Sequence, residues 1–385
     1  MARVRLLFVI AGLGRAGAEK QLYLLLKHLD RDAFAPTVVS LSAGGAWVAP
    51  IRALGVPVTE LPRRHSLEGQ RLLGLYRQVR RSAPDILQTV LFPDLAYGLL
   101  AGRLARVPVL IASRRIDHYG DGRPVLRAVN RLLLPLADAV ICNARRSLRY
   151  VPRALAARCA VIPNGVEPVI PARRRADVRH GLDLPADIPV VGTVGRLMPQ
   201  KNHRLFLQVA SDVLRSRPRA AFLLVGGGPL EAELRRQAGE PGLAGRVALT
   251  GERADVADLL GAMDVFLLTS EREGMSNALM EAMTLGLPCV ATDAGGSAEV
   301  VAHGETGYVC PRGDRGSLAG HVGALLDDPG LRGRLGAAGR RRAVTGFAPD
   351  AMARATETLY RRLLDGRAGP PPSDAVSWTE AEGTG

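Results

Sequence analysis

The chain has 385 residues, 47% of them hydrophobic and 23% charged, more than one ordinary core organises and enough for two packed domains. No apolar run approaches the ~20 residues that cross a bilayer as a helix. The four cysteines, Cys142, Cys159, Cys289 and Cys310, make no CxxC pair and no metal set with the seven histidines, so they read as buried thiols of a reducing compartment. The net charge of +14 sits in one half: residues 1–170 hold 25 Lys and Arg against 11 Asp and Glu, while residues 171–385 hold 26 against 26. A basic half beside a neutral one points the first half toward something anionic, whether a membrane surface, a lipid phosphate or nucleic acid.

Leu6-Leu-Phe-Val-Ile-Ala11, behind Arg3 and Arg5, has the composition of a signal-peptide core. A Gly loop and a helix follow it and no small-residue cleavage site does, so it reads as a first strand. Further strands are predicted at Ala35–Leu41, Val56–Glu60, Ile86–Val90, Val109–Ser113 and Ala139–Cys142, with helices at Ala18–Leu29, Leu67–Arg81, Asp94–Arg103 and Pro124–Leu134. Residues 1–167 thus form one doubly wound domain, and 168–189, rich in Pro, Arg and Asp, read as a linker. A second series spans 190–345, with strands Val190–Gly195, Ala221–Gly226, Val247–Thr250, Val265–Thr269, Cys289–Thr292 and Gly307–Val309. Its helices are Arg204–Arg215, Leu230–Gln237, Val256–Ala262, Asn277–Thr284 and Ser317–Asp327. A last helix is predicted within 346–365, packing back toward the first domain, and a disordered tail over 366–385. The fold class is α/β: two Rossmann-like domains facing across a cleft lined by the carboxyl ends of both sheets.

Gly12-Leu-Gly14-Arg-Ala-Gly17 is formally G-x-G-x-x-G after a strand, but the second strand ends Val38-Val-Ser-Leu-Ser42 without the acid that would hold a dinucleotide ribose. What survives is a Gly-rich loop at a helix N-terminus, followed by Glu19. Asp30-Arg-Asp32 is a formal metal-binding D-x-D lying in a helix-to-strand loop, where a solvated turn is favoured. Ser113-Arg-Arg-Ile-Asp-His-Tyr119 follows a strand, and His118 or Asp117 is placed to bond a reacting sugar or accept a proton from an incoming hydroxyl.

In the second half, Gly195-Arg-Leu-Met-Pro-Gln-Lys-Asn202 puts Arg196 and Lys201 at a strand end. Guanidinium and ammonium together neutralise the charge developing on a departing diphosphate, in place of a metal ion. Lys201 is one of only three lysines, which favours a specific task for it. Gly226-Gly-Gly-Pro229 is a turn after a strand, and Arg253 stands at another strand end, a base contact or a surface charge. Ser270-Glu-Arg-Glu-Gly-Met-Ser-Asn-Ala-Leu-Met-Glu281 combines a strand end, a glycine turn and a helix opened by Ser276 and Asn277, a ready phosphate site. Glu281 lies roughly 7 Å along that helix from Ser276, about the distance from a diphosphate to the far edge of its ribose.

Taken together, these segments resemble the family-4 retaining glycosyltransferases of the GT-B fold (group 1 glycosyltransferases), over nearly the whole chain. Glu273-x7-Glu281 is the most specific element, followed by Gly286-Leu-Pro-Cys-Val290 and Gly295-Gly-Ser-Ala-Glu299. Arg196 and Lys201 match the family's R-x4-K pair, Gly17-Ala-Glu19 most of its G-G-A-E loop, and Ile162-Pro-Asn-Gly-Val166 its interdomain segment. The resemblance implies that Arg196 and Lys201 bind a nucleotide diphosphate and that Gly274, Met275, Ser276 and Asn277 supply backbone N–H groups. It further implies that Glu273 meets donor-sugar hydroxyls, Glu281 the ribose, and that Gly14, Gly17 and Arg253 complete the donor site. No metal and no cofactor beyond the nucleotide sugar are expected. Ala16 replaces the first glycine of the G-G-A-E loop, and the loop holding His118 departs from the family pattern.

The expected reaction is transfer of a hexose-type sugar from a nucleotide diphosphate to a lipid-linked or cell-envelope glycan, with retained configuration. The expected location is the cytoplasm, peripheral on the inner membrane face through the basic N-terminal domain, where Arg64, Arg71, Arg77, Arg80 and Arg81 flank or occupy an amphipathic helix. A nucleotide-sugar epimerase of the same fold is the nearest alternative. A nucleic-acid-binding module is disfavoured, because 4% aromatic residues leave little for base stacking.

Overall fold

The structure, a computed structural model, describes residues 2–62, 68–115 and 124–366. The chain divides into two compact units, one built from residues up to Gly165 and from Ala348 onward, the other from Val166–Phe347. His118 and Asp117, like Arg64 and the stretch 367–385, lie outside the described residues.

The first unit carries a seven-stranded parallel sheet of β1 (Val4–Ile10), β2 (Phe34–Ser40), β3 (Val58–Glu60), β4 (Ile86–Thr89), β5 (Val109–Arg114), β6 (Ala139–Cys142) and β7 (Cys159–Val161). Their order is β3-β2-β1-β4-β5-β6-β7. Helices α1 (Gly17–His28), α2 (Val48–Ala53), α3 (Glu68–Ser82), α4 (Phe92–Leu104) and α5 (Pro124–Leu133) connect them. Because both faces of β1 are covered, its run is apolar rather than alternating. Leu6, Phe8 and Ile10 pack with Leu22, Leu25 and Leu26 of α1. Leu7 and Val9 pack on the opposite face with Leu75, Val79 and Leu99. Strand β7 went unpredicted: its three residues are too short to show a pattern.

The second unit runs through α6 (Arg175–His180), β8 (Val190–Val194), α7 (His203–Ser216), β9 (Ala221–Val225), α8 (Glu231–Ala238), β10 (Val247–Leu249), α9 (Val256–Gly261) and β11 (Val265–Leu268). It continues with α10 (Asn277–Thr284), β12 (Cys289–Thr292), α11 (Ser297–Val300), β13 (Gly307–Cys310), α12 (Arg315–Asp327) and α13 (Pro329–Gly346). The six strands are parallel in the order β10-β9-β8-β11-β12-β13. Its core joins Phe206 and Val209 of α7 to Phe222, Leu224, Val265 and Val290 of the sheet. Helix α13 was not predicted, since its five glycines lower helix propensity. Two of them earn their place by packing: a Cβ on Gly336 would lie 1.9 Å from the Gly286 carbonyl oxygen, and Gly339 faces Met283.

The stretch expected to link the domains is instead an integral part of the second unit. Arg179, only 2% exposed, donates to the carbonyls of Ala262 (3.0 Å), Ala186 (2.8 Å) and Ile188 (2.8 Å) and to Asp264 Oδ2 (2.7 Å). Asp258 accepts from the backbone of Ala172 and Arg173 at 2.6 and 3.1 Å. Proline and arginine content signalled an open connection; a buried guanidinium folded it down.

After α13 the chain re-enters the first unit as α14 (Pro349–Leu364). Tyr360 is fully buried there, and its hydroxyl donates to Gln88 Oε1, whose amide donates to Ser113 Oγ at 2.9 Å. Glu357 accepts from the Asp30 N–H at 2.8 Å, and Asp30 accepts from the N–H groups of Asp32 and Ala33. The formal D-x-D is therefore a hydrogen-bonded turn that seats α14.

Candidate active site

In the second sheet the chain order reverses between β8 and β11, and ligands of doubly wound sheets sit outside the strand carboxyl ends at such a switch point. The loop after β8 holds Arg196 and Lys201, and the loop after β11 holds Glu273 through Ser276. Neighbouring loops press on both through glycine backbone. Gly226, at φ +145°, would place a Cβ 1.9 Å from the Gly195 carbonyl oxygen, and Gly295, at φ +56°, one 2.3 Å from that of Glu273. Any side chain at either position would push a functional loop aside. The Gly296 N–H also donates to the Gly274 carbonyl at 2.5 Å.

The two central loops are stitched to each other. The Glu271 N–H donates to the Gln200 carbonyl at 2.9 Å, and Thr269 Oγ1 to that of Asn202 at 3.0 Å. Asn202, in the left-handed region at φ +46°, caps α7 through Oδ1 and donates Nδ2 to Glu271 Oε1 at 2.6 Å. These bonds set Lys201 Nζ 2.5 Å from Glu273 Oε1, which also accepts from Ser270 Oγ at 2.7 Å. The pair is largely buried, with side chains 16% and 9% exposed. Arg196 differs: it is exposed, and its guanidinium has neither hydrogen bond nor ion pair among the described residues.

Gly274, Met275 and Ser276 are buried in the turn before α10. Ser276 is its N-cap residue but makes no side-chain capping bond, and Asn277 opens the helix. Glu281 lies buried within α10. The structure thus gathers Lys201, Glu273 and the 274–277 turn, with Arg196 on the same loop as Lys201. Arg253 is engaged elsewhere: it forms a two-pronged pair with Asp255, both contacts at 2.7 Å, which holds its guanidinium even more strongly protonated than usual. In the first unit, Gly14 follows β1 on a loop anchored by buried Leu13, whose carbonyl accepts from Trp47 N–H at 3.0 Å. A Cβ on Gly14 would meet nothing within 4 Å, so the fold itself does not require glycine there. Gly17 opens α1, with Glu19 buried in its first turn.

Sequence reasoning missed Ser270, Asn202 and His203. His203, the first residue of α7, is 2% exposed, and burial pushes its imidazole down to about 4. In the unfolded chain it would titrate near its ordinary 6.5, so between pH 6.5 and 4 the unfolded state binds the extra proton. The stability from keeping this ring neutral is present above pH 6.5 and is lost as pH falls toward 4, roughly 3 kcal/mol in all. Melting temperatures across that window should therefore fall less steeply in His203→Gln than in the unmodified protein; equal slopes would contradict this.

Comparison with known proteins agrees with the geometry. The family model for glycosyltransferase family 4 matches residues 15–169, and that for glycosyl transferases group 1 matches residues 188–328. A UDP-Gal:alpha-D-GlcNAc-diphosphoundecaprenol alpha-1,3-galactosyltransferase of Escherichia coli is 30% identical over 294 residues, 72% of this chain and 76% of that protein. This chain belongs to the family-4 glycosyltransferases of the GT-B fold. A second relative of this glycosyltransferase, the GDP-mannose-dependent alpha-(1-6)-phosphatidylinositol monomannoside mannosyltransferase of Mycolicibacterium smegmatis, is 32% identical over 66% of this chain and 71% of that protein. In fold it is similar to Anabaena HepE, solved in complex with UDP-glucose, at TM-score 0.80 and 24% identity over 93% of this chain and 100% of that one.

Proposed function

We propose that this glycosyltransferase moves a hexose-type sugar from a nucleotide diphosphate to a lipid-linked or cell-envelope glycan, with retained anomeric configuration and without a metal ion. The observation that carries the reading is the Arg196 guanidinium, without hydrogen bond or ion pair among the described residues, on the loop of the buried Lys201–Glu273 pair at the switch point of the second sheet. Arg196 and Lys201 bind the diphosphate, the 274–277 backbone assists them, and Glu281 holds the ribose. On donor binding Lys201 turns from Glu273 to a phosphate oxygen, which frees Glu273 Oε1 for sugar hydroxyls while Ser270 still orients it. As the bond from the anomeric carbon to the diphosphate breaks, both cations take up the charge on the leaving oxygen. The acceptor oxygen bonds to the same face of that carbon, and its proton passes to the departing phosphate.

The lipid-linked acceptor is supported by the Escherichia coli and Mycolicibacterium relatives, each named for a substrate built on a lipid. Peripheral attachment on the cytoplasmic membrane face is supported by the first unit's charge. Arg77, Arg80 and Arg81 of α3 are exposed and, like Arg103, Arg106 and Arg131, have no ion-pair partner among the described residues.

A panel of nucleotide sugars tests the donor reading. The cognate donor at 100 times its dissociation constant should stabilise the protein by about 2.7 kcal/mol, visible as a raised melting temperature. Its product, with acceptor supplied, should keep the donor's anomeric configuration in the presence of EDTA. Inversion, or loss of turnover on chelation, would refute those parts, and an altered free sugar with no acceptor glycosylated would favour an epimerase. Cosedimentation with anionic vesicles, weakened by salt, tests the membrane reading; no binding at low salt would end it.

A further inference from the structure

His203 is almost fully buried directly beneath the loop that carries Arg196. Its Nε2 lies 3.1 Å from the Arg196 carbonyl oxygen, which also accepts from the Met198 N–H at 2.8 Å. A carbonyl only accepts, so Nε2 must carry the hydrogen. Nδ1 is buried with no hydrogen-bond partner among the described residues, so a proton added there would be an unsatisfied donor and put a positive charge in a dry site. Geometry alone therefore selects the neutral ring with its proton on Nε2. The neighbouring peptides are held as well: Gly195 N–H donates to the Val225 carbonyl and Leu197 N–H to that of Gly227, each at 2.9 Å. Removing the imidazole bond takes away the side-chain hydrogen bond on the Arg196 carbonyl and so loosens that peptide.

We propose that His203 is a positioning residue for the donor: its uncharged imidazole fixes the Arg196 peptide, and through it the direction in which the Arg196 guanidinium meets the diphosphate. The inference rests on the reading of Arg196 as a diphosphate ligand. A histidine serving only the core would affect stability and leave donor affinity alone. One that aims Arg196 affects donor binding most, because the guanidinium must meet the phosphate oxygens in a narrow range of directions.

The test measures binding of UDP and GDP to the full chain by calorimetry, together with steady-state kinetics, for His203→Leu, His203→Gln and Arg196→Ala. Glutamine keeps an N–H donor at about the reach of Nε2. We expect His203→Leu to weaken nucleotide binding about tenfold, raise donor KM by a similar factor and lower kcat as well, and His203→Gln to recover most of these losses. Full-strength binding by His203→Leu while Arg196→Ala binds poorly would overturn the positioning role. Binding of neither nucleotide by the unmodified protein, or full binding by Arg196→Ala, would overturn the donor-site reading instead. If His203→Leu does not fold, nitrogen-15 shifts of the unmodified imidazole decide. A neutral ring protonated on Nε2 between pH 6 and 8, with a shift that moves on adding UDP, supports the role; any other tautomer or a charged ring refutes it.

Discussion

Lys201→Ala should lower sugar transfer by about 10² to 10³-fold, the cost of removing one preorganised group from a developing anion. It should also destabilise the second unit, because Glu273, 9% exposed, would be left with Ser270 Oγ and no cation. Breaking one side of a buried ion pair costs about 3 kcal/mol or more. The double variant Lys201→Ala with Glu273→Gln separates the two effects. Neutralising the orphaned carboxylate should restore most of the lost stability and none of the activity, since the cationic phosphate ligand and the negative charge that meets the sugar hydroxyls are then both gone. Thermal melting and initial rates on the unmodified protein, the two single variants and the double variant, treated as a cycle, measure this. A double variant that regains turnover along with stability would show that the pair is scaffold.

The same pair illustrates which parts of the site the sequence made legible. Arg196, Lys201 and Glu273 stood out because each follows an apolar strand run, and in a parallel sheet the carboxyl ends of strands are where a ligand is met. Their contact across 72 positions could not be read from spacing, for it depends on Asn202 adopting φ +46° and on Gln200 and Thr269 joining two distant loops. Ser270 and His203 were invisible for the same reason: each acts through a partner that the fold supplies. Arg253, readable from sequence as a base contact or a surface charge, pairs with an acid only two residues away, Asp255. Among the described elements, apolar runs marked twelve of the thirteen strands, while α13 was hidden by its glycines, of which Gly336 packs closely on Gly286.

The stretch read as a linker holds the largest expected effect on stability. Arg179→Leu should destabilise the second unit by about 3 to 5 kcal/mol. Leucine fills part of the volume, but the carbonyls of Ala262, Ala186 and Ile188 lose their donor, and Asp264 Oδ2 loses its buried cation. Asp264 is not stranded altogether: Arg175 Nη2 at 2.5 Å and the Val190 N–H at 2.8 Å remain on it. That residual pairing predicts an ordering. Arg175→Ala alone, with its side chain 43% exposed, should cost less than about 1 kcal/mol. The two changes together should exceed the sum of the single effects, because only then is the Asp264 carboxylate without any cation. Urea denaturation of the single and double variants reads this coupling, and strict additivity would mean that the two arginines act on Asp264 independently. Since Asp264 also meets the first residue of β8, the strand that leads into Arg196, loss of this clamp should reach the donor loop. Arg179→Leu is therefore expected to raise donor KM at temperatures well below its own melting point.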